Sequence, residues 1–354
     1  FNPFQRFLNR VSHEELIIFT RQLETLQAAG VAILVSLSSI TEQITNPYFK
    51  RIIEEIANGI ESGKSFSDSI SRFPSVFSEI YINMIRSGEA AGILDDVLAR
   101  LATLMEHEQE MRMRVQQAIR YPLLVILVIS IAFPLLIMFV IPKFSALFAR
   151  FNTELPFPTK MLLGAHFIIS HYWPVIVAAI IILSVGFKRF INTKSGRYIW
   201  DRVKLKMPVF GQLFLKISLS RFSRMTALLS ASGIPIINTL EIVRDSLGNR
   251  IIADSVDNII QGIGEGKGIA EPMKLSGLFP GIVIQMVKIG EETGKMNELL
   301  LKVSDYYDAQ VDYTVKNLAV LIEPILIFAL GIMVLVMALA IFMPMWNLIS
   351  VFSY

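Results

Sequence analysis

The chain has 354 residues, 53% of them hydrophobic, 18% charged and none cysteine, with a net charge of +3 and a mean hydropathy of +0.55. Soluble domains carry roughly 25% charged residues, so the apolar surplus marks a membrane protein with soluble parts. The near-neutral charge disfavours nucleic acid as a partner, and the lack of cysteine excludes disulfides, zinc–thiolate centres and thiol catalysis.

The chain begins at Phe1 without Met, as a piece of a longer product would, and its start shows no charged-then-apolar signal peptide. Ser12-His-Glu-Glu15 fits a capping box. The helix it opens spaces Leu16, Phe19, Leu23 and Leu26 along one face and ends at Gly30. Asn46-Pro47 is a turn that starts another helix, with Ile52, Ile53, Ile56 and Ile60 on one face and Gly63 as its cap. Pro74 breaks the chain again. A helix is expected from Phe77 to Ser87, ended by Gly88, and a long helix from about Ile93 toward Tyr121 and on into an apolar run.

Residues 122–141 hold no charge. At about 1.5 Å per residue they cover roughly 30 Å, one hydrocarbon core. Pro134 is expected to kink this span, which membranes tolerate. A second run, Tyr172 to Phe187, extends back to Phe167 and carries Trp173 near one end, where interfacial aromatics belong. The third, Leu318 to Met343, is interrupted only by Glu323. Lys188, Arg189, Lys194, Arg197 and Arg202 follow span two, and Arg112, Arg114 and Arg120 precede span one; the connection between these spans carries only Lys143, Arg150 and Lys160. The positive-inside rule then puts residues 1–121 and 188–317 in the cytoplasm as helical domains. Residues 122–142, 167–187 and 318–343 are the spans, with the loop 143–166 and the tail 344–354 outside. Met345 and Trp346 read as interfacial anchors.

The second cytoplasmic half repeats the first. Phe19 to Gly30 returns at Phe222 to Gly233, an offset of 203 residues (222 − 19); Gly88-Glu-Ala-Ala-Gly92 returns as Gly290-Glu-Glu-Thr-Gly294, an offset of 202 (290 − 88). Pro122 and Pro142 bracket one apolar run, Pro324 and Pro344 another. A repeat this long is a duplicated domain. Neither copy holds a period-2 run outside the spans. The fold expected is therefore all-α: two homologous helical bundles of about six helices each, with three transmembrane helices.

Gly59-Ile-Glu-Ser-Gly63-Lys64-Ser65 resembles a phosphate loop, but it has three residues between its glycines where the motif needs four, it ends a helix, and the repeat has Gly268 in place of Ser65. It reads better as a helix C-cap. In Gly88-Glu89-x-x-Gly92 and Gly290-Glu291-x-x-Gly294, the first glycine is expected at a helix end with φ > 0, the Glu near the next helix N-terminus, and the second glycine at a close approach. Corner geometry explains most of this; docking of a partner by Glu89 and Glu291 is the other reading. Glu323-Pro324 sits inside span three, where a carboxylate is either a packing contact or a coupling element. The acids Asp95, Asp96, Glu106, Glu108 and Glu110 read as a solvated face. His13, His107, His166 and His171 form no metal motif, and no activated nucleophile is visible.

The duplicated helical domain, its Gly-Glu-x-x-Gly corners, Leu26-Gln-Ala-Ala-Gly30 and Ile322-Glu323-Pro324-Ile325 closely resemble the bacterial type II secretion F family, over Ser12 to Trp346. The resemblance implies a protein without enzymatic activity or cofactor in the bacterial inner membrane, its outer loops facing the periplasm. It also implies contact with a cytoplasmic hexameric assembly or secretion ATPase, with pilin or pseudopilin subunits and with other inner-membrane assembly proteins. Homo-oligomers are implied as well. The alternative is an oligomeric transporter or channel, against which three spans and one intramembrane carboxylate argue.

Overall fold

The computed structural model describes residues 11–140, 142–143, 157–208 and 210–352, with side chains described as far as Met343 except Ala319. Most of the expected outer loop, with Arg150, and the side chains of Met345 and Trp346 lie outside the described residues. The chain divides into two compact units: residues 1–113 with 201–312, and residues 114–200 with 313–354.

The first unit holds both soluble copies. Copy one comprises α1 (His13–Ala28), α2 (Ile33–Gln43), α3 (Pro47–Glu61), α4 (Phe66–Ser71), α5 (Glu79–Ala91) and the start of α6 (Leu94–Phe139). The capping box is formed: Glu15 N–H donates to Ser12 Oγ at 3.1 Å and Ser12 N–H to Glu15 Oε2 at 2.6 Å. Asn46 caps α3 by accepting from Tyr48 and Phe49 N–H, ahead of Pro47 at the first helical position. The predicted apolar faces point inward: Leu16, Phe19, Leu23, Ile52, Ile53 and Ile56 are buried. Phe19 meets Phe49 and Phe77 edge-on, at centroid distances of 5.5 and 6.3 Å, a favourable arrangement of ring quadrupoles.

Copy two follows α7 (Phe157–Ile191) and α8 (Lys194–Lys206). It comprises α9 (Phe210–Ala231), α10 (Ile236–Ser246), α11 (Arg250–Gly264), α12 (Ala270–Ser276), α13 (Gly281–Thr293) and the start of α14 (Met296–Phe352). Its Phe222–Phe279 pair, 5.3 Å between centroids, is the repeat of Phe19–Phe77. The sequence divides these bundles into two domains; buried apolar residues of both belong to one continuous core.

Where the copies differ, the core records it. Thr20 Oγ1 lies 3.2 Å from Tyr81 Oη, both buried, and burial raises the Tyr81 pKa. In copy two the equivalents are Ser223 and Val283. Valine offers no oxygen, and the buried Ser223 Oγ finds no partner among the described residues.

In the second unit, α6, α7 and α14 supply three helices long and apolar enough to cross a membrane. Side chains such as Ile182, Leu183 and Phe328 are more than two-thirds exposed, as lipid-facing residues would be. Ile137, Leu162 and Ala340 form a small buried cluster, beside which Thr159 Oγ1 donates to the Ala340 carbonyl at 2.8 Å. This contact explains one departure from expectation. The helix of span two begins at Phe157, inside the segment read as loop 143–166, because Thr159, Leu162 and Leu163 find partners on the other spans. Likewise α14 runs through Pro344 to Phe352, so the residues read as a tail continue the helix. Pro134 lies inside α6 without ending it. A proline removes one backbone donor, and a span within packed helices tolerates that loss.

Candidate functional site

The Gly-Glu-x-x-Gly segments sit at the α5–α6 and α13–α14 corners, with the glycine roles reversed from expectation. Gly88 is helical and buried, and does not end α5. A Cβ there would stand 2.8 Å from Val97 Cγ2 on α6, so only glycine lets the two helices close. Gly92, four residues on, ends α5 at φ +69 with open space around it, and Ile93 N–H donates back to the Gly88 carbonyl at 2.9 Å. This is a left-handed helix cap of the Schellman type. Gly290 and Gly294 repeat the pattern: a Cβ on Gly290 would meet Met296 Cα at 2.9 Å, and Gly294 has φ +73.

Glu89 and Glu291 do lie at helix N-termini, although not those of the helices that follow them. The Glu89 carboxylate accepts from Phe66 N–H at 2.7 Å and Ser67 N–H at 3.0 Å, the first two donors of α4. Ser65 Oγ takes the third, from Asp68. Glu291 receives Ile269 N–H and, at 3.2 Å, Ala270 N–H at the start of α12. Here Gly268 replaces Ser65. The serine cap is lost, but a Cβ at Gly268 would lie 2.7 Å from Glu291 Oε1, so the glycine leaves room for the carboxylate. These acids complete orphan backbone donors and carry charge favoured at that helix end.

The segment resembling a phosphate loop is a third example of the same corner. Gly59 is buried against Ser69, and Gly63 caps α3 at φ +89. Lys64 N–H donates to the Gly59 carbonyl at 3.1 Å. Gly262 and Gly266 repeat it in copy two, with Pro272 filling the place a Cβ would need. One glycine for approach and another, four residues later, for left-handed backbone account for both motifs in both copies. Glu323 and Pro324 lie within α14, with Glu323 exposed on its surface.

A polar network that no local sequence pattern marks lies inside the first unit. Arg21 on α1 grips Glu106 on α6 with two donors, at 3.0 and 2.6 Å; hydrogen bonding to Glu106 raises the Arg21 pKa. The repeat equivalents are Arg224 and Asp308, which meet at 2.7 Å. Aspartate is one methylene shorter, and Arg224 Nε finds no acceptor among the described residues. Copy one reaches into this pair. His107 Nε2 lies 3.4 Å from Asp308 Oδ1, and Glu108 meets Arg221 at 3.1 Å. Burial pushes the Asp308 pKa up, but hydrogen bonds from His107, Ser220 and Arg224 outweigh it and hold the carboxyl below its usual value. Glu106 and Glu108 therefore bridge helices while still meeting solvent. Aligning the two copies would have paired Arg21 with Arg224 and Glu106 with Asp308.

Comparison with known proteins fits this duplicated architecture. The sequence profile of "Type II secretion system (T2SS), protein F" matches twice, over residues 19–142 and 222–344. A type IV pilus assembly protein PilC from Myxococcus xanthus is 35% identical over 96% of this chain and 81% of its own length. Its counterpart in Pseudomonas aeruginosa is 32% identical over 96% and 91%, and a type II secretion system protein F from Aeromonas hydrophila is 28% identical over 98% and 89%. The double match covers most of the chain, copy by copy: this non-enzymatic membrane protein belongs to the type II secretion system protein F family.

Proposed function

We propose that the chain is an inner-membrane platform protein coupling a cytoplasmic assembly or secretion ATPase to the insertion or extraction of pilin or pseudopilin subunits. The observation that carries this reading is the near full-length match to proteins named for type IV pilus assembly and type II secretion. The positive-inside asymmetry supports a cytoplasmic location for both bundles. In each copy the last bundle helix, α6 or α14, continues without a break into an apolar segment. A push on a bundle has a covalent, hydrogen-bonded path into the bilayer. Glu89 and Glu291 serve this role by holding the corners that a partner meets, and Glu323-Pro324 lies inside the third span, near its cytoplasmic end.

The test is capture of the purified ATPase by the full-length protein in nanodiscs, with filament assembly measured in cells. Capture by the intact protein, and loss of filaments when residues 222–317 are removed while membrane localisation persists, is the expected result. An intact, inserted protein that neither captures the ATPase nor affects filaments would overturn the reading. Substrate flux through liposomes, abolished by Glu323→Ala, would point to a transporter instead.

A further inference from the structure

The two copies do not meet through equivalent surfaces. Copy one offers α5 and α6; copy two offers mainly α9 and α10, with Asp308 of α14 reaching His107 of α6 at the edge. Leu104, His107 and Glu108 of α6 line a small cleft with Ile217, Ser220 and Arg221 of α9, closed by the Glu108–Arg221 bridge. Beside it, Arg86 and Ser87 of α5 share a cleft of about 450 Å³ with Asn238 and Asp245 of α10. A twofold relation between the copies would use every surface twice, so α13 and α14 of copy two would cover α2 and α1 of copy one. They do not. Leu104 is 4% exposed, but its repeat equivalent Tyr306 is 46% exposed. Ile18, the equivalent of Arg221, is 51% exposed. The contact is head-to-tail, and each chain is left with one unused surface of each kind.

These surfaces match. On α1–α2 lie the exposed Ile18, Val35 and Glu42; on α13–α14 lie the exposed Lys288, Ile289 and Tyr306. By the repeat offsets, Val35 and Ile289 correspond to Asn238 and Ser87, which line one cleft. Ile18 and Tyr306 correspond to Arg221 and Leu104, which line the other. Glu42 and Lys288 correspond to Asp245 and Arg86, which line the larger cleft, so each surface keeps the sign of charge of its repeat equivalent. The apolar content is higher at the unused surfaces, where Ile18 and Val35 replace Arg221 and Asn238, as expected of a surface that another chain covers.

We infer that a second copy of this chain docks its α13–α14 surface on the α1–α2 surface of the first, repeating between chains the contact that joins the two copies within one. The contact is heterologous, so each protomer gives one face and receives on the other. The inference stands independently of the coupling role proposed above.

The chain has no cysteine, which makes the test direct. Chains carrying Val35→Cys or Ile289→Cys are expressed separately and together, and treated in membranes with a bifunctional thiol cross-linker long enough to span the cleft. A cross-linked dimer is expected only when the two variants are together. In a second measurement, Glu42→Lys and Lys288→Glu each lower the oligomer mass of the full-length protein in nanodiscs, and the doubly reversed chain regains it. A dimer from Val35→Cys alone would mean a twofold contact and would overturn the inference. So would a monomeric protein, absence of the mixed cross-link in the folded protein, an oligomer indifferent to all three charge variants, or a different protein occupying the α1–α2 surface.

Discussion

Replacing Glu89 by alanine separates a corner-holding role from a docking role. The carboxylate accepts two N–H groups, at 2.7 and 3.0 Å, at the start of a helix only six residues long. Loss of a capping acceptor costs about 0.5–2 kcal/mol, and loss of a favourable charge at a helix start about 0.3–1 kcal/mol. Water reaches the half-buried site and recovers part of this, so a net destabilisation of about 1–2 kcal/mol is expected for the α4 corner. That corresponds to roughly a 5- to 30-fold shift in the local opening equilibrium. Amide hydrogen exchange on the full-length protein reads it directly. Residues 66–71 should exchange faster by about that factor in Glu89→Ala, while Ile53 and Ile56, inside α3, keep their protection. Unchanged protection of Phe66 and Ser67 would refute the capping argument, and the acid would then be free to act on a partner.

The Asp308 network and the first glycine corner yield three further outcomes. The Asp308 carboxyl is held below its usual pKa, so its contribution to stability is present above the unfolded value, about 3.9, and fades as pH falls through the folded one. The denaturation midpoint of the wild type should exceed that of Asp308→Asn near neutral pH, and the gap should close below about pH 4; a gap constant with pH would remove the charge from the explanation. At the first corner, Gly92→Ala should cost about 1–2 kcal/mol through its left-handed backbone alone, and Gly92→Asn less. Gly88→Ala should cost about 1–3 kcal/mol by overpacking against Val97, with no relief from Asn. Equal behaviour of alanine and asparagine at Gly92 would contradict the assigned roles.

Helices and spans were legible because their signals are local. Ser12 with Glu15, Asn46 with Pro47, and the isoleucine spacing of α3 each specify structure within a few residues. The glycine corners were legible as corners but not in their division of labour. Whether a glycine serves φ or clearance depends on what packs against it, and Val97 and Met296 are identified only once the helices are folded together. Glu89 was placed near a helix N-terminus, but the helix is α4, reached across 23 residues of sequence. Contacts between copies leave no local pattern at all. Glu106 and Glu108 look like ordinary surface acids until Arg21 and Arg221 are brought to them.

The bridges from Arg21 to Glu106 and from Arg224 to Asp308 join the first and last helix of each copy across 85 and 84 residues. Such contacts can form only after the intervening chain has been made and the loop between them closed. During synthesis the first helix of each copy waits, its apolar face unshielded, until five more helices have emerged. Copy one completes this wait only when α6 is made, the same helix that carries the first apolar run. Closure of the bundle and delivery of the chain to the bilayer thus fall at the same moment of translation. A pause placed just before α6 would lengthen the interval in which the nascent chain is prone to aggregate.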